Sequence, residues 1–298
     1  MQHIRNLMLP IAVVLGLFFH DFFAQLAFIV PYLIFCTLFL TYCNLKINEL
    51  KFSKFHLTLL LFQIITGIVL YFILVQCSGI VAQGVMISAL APTATAAVVV
   101  ANMLGASIAT MTTYTMLCNL TMAIVCPIFF TIIGSHSELG LLPAMGIVFV
   151  KVFPLLVLPL IIGVLFQKFL PKLTKQILKH KYTSFYLWSI SLTIAIGSAI
   201  NYIILQQESQ HKVIIQMSIA ALLLCVWQFG VGRLIGKKYG DIVSGGQSVG
   251  QKNTILAIWM AQTFLNPLAS IVPAMYIIWQ NLFNSYQLWQ KSRKELQK

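Results

Sequence analysis

Apolar residues fill ten long stretches of this chain, near residues 6–20, 22–43, 55–77, 80–102, 106–133, 141–166, 183–206, 213–235, 242–263 and 267–290, with short polar segments between them. Most are near the roughly 20 residues that a helix needs to cross a bilayer, so ten transmembrane helices are predicted. The first stretch is short and follows Arg5, which also suits a signal peptide. No polar stop separates it from the second stretch, however, so it is read as a span. Two stretches carry interruptions, Ala91-Pro92-Thr93-Ala94-Thr95 in the fourth and Ser244 to Thr254 in the ninth.

Composition places the chain in lipid. Of its 298 residues 59% are hydrophobic and only 8% charged, with a mean hydropathy of +0.91. The net charge of +13 invites a nucleic-acid reading, but its distribution opposes one. With ten spans, every Lys and Arg falls on one face except Lys212 on the other and Lys151 and Lys252 within spans. Arg5, Lys46, Lys51, Lys54, Lys168, Lys172, Lys175, Lys179, Lys181, Arg233, Lys237, Lys238 and the tail residues through Lys298 make up that face. The positive-inside rule then puts both termini in the cytoplasm, in the plasma (inner) membrane. A miscount by one span would scatter these charges. The six cysteines lie in or beside apolar runs without a C-x-x-C, and read as packing residues. No nucleotide loop, zinc spacing or ATPase segment occurs. Neither cofactor nor metal is therefore expected, and any pumping must draw on ion gradients.

The ten spans divide at Gly134-Ser-His-Ser-Glu138 into halves 1–135 and 136–298 that begin alike, Leu9-Pro10-Ile11 with Gly16 and Leu158-Pro159-Leu160 with Gly163. Each half carries its interruption in its fourth span. Pro92 removes a backbone donor and breaks its helix. Gly245, Gly246 and Gly250 are expected to let the ninth helix unwind, with Gln247, Ser248, Gln251 and Asn253 satisfying the freed backbone. Five spans per half make the second half enter from the opposite face, giving an inverted repeat. Matched broken helices in such halves mark a binding site near the midplane, although prolines and glycines in membrane helices also serve packing alone.

Lys252 is the most informative single residue, because a charge at membrane depth is rare and usually functional. The alternative is a structural lysine, uncharged or held by carbonyls. Half-helix N-termini at the breaks attract anions; Lys252 adds a full charge, and Thr95 and Asn253 add a hydroxyl and an amide just after their breaks. A small or amphipathic organic anion is the expected ligand. Gln63, at the centre of the third span, reads equally as a site residue and as a helix–helix hydrogen bond. Lys151 reads as a residue that snorkels outward. Thr110, Thr112, Thr113, Tyr114 and Thr115 make a polar start to the fifth span, which hydroxyls bonding back to helix carbonyls largely explain. Asp21, Glu138, Glu208 and Asp241 fall at predicted loops, so the usual oxygen ligand of a sodium or proton site is missing from the membrane interior.

Pro92-Thr-Ala-Thr95, Gly250-Gln-Lys-Asn-Thr254 and Pro273-Ala-Met-Tyr-Ile-Ile-Trp-Gln-Asn281 together resemble the bile acid:sodium symporter family, over nearly the whole chain. The resemblance implies an all-α polytopic fold of ten helices in two inverted five-helix repeats, with crossing broken helices 4 and 9. It implies a panel domain from spans 1, 2, 6 and 7, and a core domain from the rest. Substrate would lie between them and cross by alternating access. One sodium site of the family uses a Ser-Asn pair, hydroxyls on the fifth helix and a ninth-helix glutamate; Ala97 and Val98, Thr110 and Tyr114, and Ser248 stand there. A second uses that glutamate, a third-helix glutamine and a Met-Gln pair, where this chain has Ser248, Gln63, Gln251 and Lys252. Thr95 and Asn253 match the family positions that contact a small carboxylate.

The expectation is a non-enzymatic secondary transporter of organic anions in which Lys252 supersedes bound sodium, working independently of sodium or coupled to protons. A sodium-coupled symporter with altered sites, and a non-transporting sensor or scaffold of the same fold, are the alternatives. A membrane-embedded hydrolase would need a base or metal cluster beside Ser248, and no deep Asp, Glu or His accompanies it.

Overall fold

The computed structural model describes residues 2–45, 47–133, 141–179, 183–205 and 211–296. Lys46, the segment Gly134–Glu138 with the boundary between the halves, Lys181, Glu208 and Lys298 lie outside the described residues. Among the described residues the chain is helical and has no strand. The order is α1 (Gln2–Phe18), α2 (His20–Gln25), α3 (Val30–Cys43), α4 (Lys54–Leu74), α5 (Gly79–Leu90), α6 (Ala96–Met103) and α7 (Ile108–Ile133). Then follow α8 (Leu141–Phe169), α9 (Pro171–Lys179), α10 (Thr183–Ile204), α11 (His211–Lys238), α12 (Ile242–Gly250), α13 (Thr254–Phe264) and α14 (Ile271–Leu296).

Each apolar stretch of the sequence is helical. The fourth is split into α5 and α6 and the ninth into α12 and α13, as the interruptions predict. The second is split as well, since a 3-10 turn at Ala27–Ile29 separates α2 from α3. Helix α9, which carries Lys172, Lys175 and Lys179, has no counterpart among the apolar stretches.

Among the described residues five helices, α4, α7, α8, α10 and α11, are long and apolar enough to cross a membrane. Helix α4 shows why lipid is its solvent. Leu57, Leu61, Ile65 and Val69 recur every fourth residue and are about half exposed, whereas Gln63 and Thr66 face inward and are buried. An apolar stripe outside and polar groups inside reverse the arrangement of a water-soluble helix, whose apolar stripe faces its core. The chain is an integral membrane protein. Sequence-local caps start its helices: Ser53 and His56 form a capping box on α4, Ser78 accepts from Val81 N at 3.4 Å, and Asp241 accepts from Ser244 N at 2.9 Å.

The principal packings are α1 on α10, α3 on α8 and α10, α4 on α5, α7 on α8, and α11 on α12 and α14. One end of the bundle is tied by Thr58 to Tyr239 at 2.9 Å, Lys51 N to Thr113 Oγ1 at 3.3 Å, and Lys291 Nζ to Met103 O at 2.9 Å. These contacts join the helix ends that carry Lys51, Lys54, Lys237, Lys238 and Lys291. Gln83 binds Asn266 N at 2.9 Å and Ile133 O at 3.5 Å at the opposite end.

Candidate functional site at the crossing of two broken helices

Helix α5 stops at Leu90 because Pro92 has no N–H to continue it. The chain then leaves helical geometry until Thr95 opens α6. Helix α12 stops at Gly250, Gln251 turns extended, and Asn253 opens α13. The two non-helical segments lie side by side as an isolated antiparallel bridge between Thr93 and Lys252. Ala94 N donates to Gln251 O at 3.0 Å and Asn253 N donates to Pro92 O at 2.7 Å. Thr93 Oγ1 adds a 2.6 Å bond to Ser248 O. Each break thus satisfies backbone groups that the other frees, which is how non-helical backbone survives inside a membrane protein.

Lys252 is 1% exposed. Its Nζ donates to Ala89 O at 2.9 Å, near the C-terminal end of α5. A helix C-terminus carries partial negative charge on its last carbonyls, so a cation there is favourably placed. The neighbouring carbonyls are also covered: Gln63 Nε2 donates to Leu90 O at 3.3 Å and Ala91 O at 3.0 Å, and Gln228 Nε2 to Ala89 O at 3.4 Å. Behind them, Tyr114 donates to Gln63 Oε1 at 2.9 Å. The Tyr276 hydroxyl sits 3.0 Å from Gln228 Oε1 and 2.7 Å from Gly250 O. Gln280 clamps the Lys252 backbone, accepting from its N at 2.9 Å and donating to its O at 3.4 Å.

On the other side of the crossing the N-termini of α6 and α13 border a cavity of about 320 Å³. Thr95, Asn253, Gln251 and Lys252 contribute to its wall, opposite Thr37 of α3 and Ser191 of α10. Asn253 Oδ1 caps α13 by accepting from Leu256 N at 3.2 Å. A second cavity of about 890 Å³ shares Thr37, Thr95 and Trp188 with the first and reaches Ile177 and Leu178 of α9 and Ser184 of α10. Helix N-termini, hydroxyls and amides around a space of this size suit a small anion with polar substituents.

The sequence-predicted residues therefore separate into groups. Gln63, Tyr114 and Lys252 share the network over the end of α5. Thr95, Asn253, Gln251 and Lys252 share the cavity. Ser248 faces away from it, its Oγ 3.4 Å from Met111 Sδ. Thr110 is remote from both, its carbonyl 3.2 Å from His56 Nε2. Lys151 is exposed, with its Nζ 5.9 Å from the centre of the Phe264 ring. Pro92 and Gly250 are at the breaks, but Gly245 and Gly246 are not. Both lie within helical α12, where a Cβ on Gly245 would stand 2.2 Å from Gly232 O and one on Gly246 2.7 Å from Arg233 Cγ. They serve close packing against α11 rather than unwinding.

Gln228 and Tyr276 were missed by sequence reasoning. Gln228 carries the same signal as Gln63, an amide within an apolar span; nothing local distinguishes Tyr276. Tyr114→Phe, which deletes one hydroxyl and leaves Gln63 Oε1 with Cys118 Sγ at 3.6 Å, is expected to cost about 1 kcal/mol. A fall of a few degrees in Tm with unchanged anion binding would be measured by thermal unfolding in detergent.

No protein-family model matches the chain, and no curated protein matches it.

Proposed function

We propose that this chain is a secondary transporter of organic anions, with ten spans in two inverted five-span repeats, in which Lys252 stands in place of bound sodium. The spans are α1, α2 with α3, α4, α5 with α6, α7, α8, α10, α11, α12 with α13, and α14. The observation that carries the reading is the antiparallel pairing of Thr93 with Lys252. It brings the N-termini of two half-helices to one cavity, with the lysine ammonium at the C-terminus of a third.

Spans 1, 2, 6 and 7 supply a panel and the others a core. Thr37, Trp188 and Ser191 come from the panel side of the cavity and Thr95, Asn253 and Asn281 from the core side. Anion binding between the two, followed by movement of one against the other, is alternating access. The larger cavity extends to α9 and the basic end of the bundle, which suits a state open to the cytoplasm with both termini inside. The resemblance to the bile acid:sodium symporter family supports the same reading, through Pro92-Thr-Ala-Thr95 and Gly250-Gln-Lys-Asn-Thr254. A sodium ion has little to bind here: Ala97, Val98 and Ser248 replace oxygen-rich ligands, and an ammonium already occupies the end of α5.

The test is uptake of a panel of organic acids into proteoliposomes with sodium or choline outside. Equal rates are expected. Strict dependence on sodium would overturn the role given to Lys252, and failure to move or bind any anion would overturn transport.

A further inference from the structure

Helices α12 and α14 face each other across a seam of buried polar side chains whose inner end, at Gln251, Gln280 and Asn284, borders the smaller cavity and whose outer part lies outside it. On α12 these are Ser244 and Gln247, at i and i+3, with Gln251 in the extended segment just past its end; on α14 they are Gln280, Asn284 and Gln287, at i, i+4 and i+7. Both spacings keep the residues on one helix face. Two rungs are closed, Lys252 N to Gln280 Oε1 and Gln247 Nε2 to Asn284 Oδ1, each at 2.9 Å. Arg233 Nη1 closes the outer end on Gln287 Oε1 at 3.2 Å. It reaches the seam along Gly246, whose missing Cβ leaves room for its stem.

Four atoms of the seam are left over. Ser244 Oγ, Gln247 Oε1, Gln251 Oε1 and Gln287 Nε2 have no hydrogen-bond partner among the described residues. Their residues are between 0 and 8% exposed. Buried polar atoms in native proteins are paired, with protein or with ordered water. The leftover set also selects its occupant. Two amide oxygens need donors, the amide nitrogen needs an acceptor, and the hydroxyl serves as either. A bare cation would meet Gln287 Nε2 and the Arg233 guanidinium; a carboxylate would meet two carbonyl-type oxygens. Water, which both donates and accepts, fits every position.

We propose that the α12–α14 seam holds a file of ordered water leading from the basic end at Arg233 to the crossing at Gln251 and Gln280. The file gives the surroundings of Lys252 an aqueous route other than the large cavity beside α9. Solvent therefore reaches the crossing from behind while an anion occupies the smaller cavity that Thr95 and Asn253 border.

Ser244→Cys in the full chain, treated with a small cationic methanethiosulfonate and read by peptide mass mapping, tests this without any substrate. The native Cys126 and Cys225, 0 and 1% exposed, are comparators from packed interior. Modification of the new thiol at least about tenfold faster than that of Cys225 is expected for a water-lined site; an equal rate overturns the file. Adding Gln287→Trp is expected to slow that modification about fivefold by closing the outer end, and an unchanged rate overturns the route at Arg233. Should the cysteine variant fail to fold, Ser244→Ala decides. A wet seam loses a water-bonded hydroxyl and Tm falls; a dry seam sheds an unpaired one, and a Tm that rises or holds overturns the proposal. Because neither readout involves transport, failure here leaves the transport reading standing, and the reverse.

Discussion

Lys252→Met should yield a protein at least as heat-stable as the wild type that binds organic anions about thirtyfold more weakly, since a unit charge at the wall of the anion cavity, at an effective dielectric near 20, contributes on the order of 2 kcal/mol. The stability half of this expectation follows from what surrounds the ammonium. Its Nζ bonds to Ala89 O, which keeps Gln228 Nε2 at 3.4 Å when the lysine is gone. The clamp of Gln280 on residue 252 is to backbone and survives substitution. What is lost is a charge–dipole attraction at a helix end, typically 0.3 to about 2 kcal/mol. What is relieved is the burial of an ion, several kcal/mol even in real proteins, and methionine fills nearly the same volume. The second effect wins.

Such a split separates two roles for the residue. A lysine kept as internal glue would give a large fall in Tm with anion binding intact. A lysine kept as a tethered cation gives the opposite. Thermal unfolding across an organic-acid panel reads both quantities in one experiment, and a Tm lowered by about 10 °C with unchanged ligand shifts would sink the functional assignment.

Much of this arrangement is legible in the sequence because the signals are local. Apolar runs without interruption report helices in lipid, and a proline such as Pro92 reports its own break whatever packs around it. The polar cluster from Gly250 to Thr254 does the same for the ninth stretch. The contacts over the end of α5 are not local. Gln228 lies 139 residues from the carbonyl it binds, and no pattern near residue 228 or residue 89 encodes that pairing. The shared position of Thr110 and Tyr114 on the fifth stretch misled in the same way. One turn of helix separates them, yet Tyr114 reaches Gln63 while Thr110 stands near His56 at the basic end.

The glycines mislead for a further reason: a missing Cβ permits either bending or close approach, and sequence alone does not say which. Gly245→Ala distinguishes them. Helices α11 and α12 are joined by a short turn through Gly240, at φ +77°, and must run closely side by side. Gly232 and Gly236 on α11 form a G-x-x-x-G face that lets the backbones touch. A Cβ on Gly245 would stand 2.2 Å from Gly232 O and 2.7 Å from Gly236 Cα. Both obstacles are backbone, so no side chain can rotate to make room, and α12 must move as a unit. It carries the Lys252 end of the crossing with it, and the pairing with Thr93 loses register. A cost of about 3 kcal/mol, the upper part of the usual range for overpacking, and a fall of about 10 °C in Tm are expected. Gly230→Ala is the control, since a Cβ there meets nothing within 4 Å. In the middle of α11 it should be neutral or stabilise by up to about 1 kcal/mol. If both variants unfolded at the wild-type temperature, close approach would not be what Gly245 supplies, and the hinge reading would return.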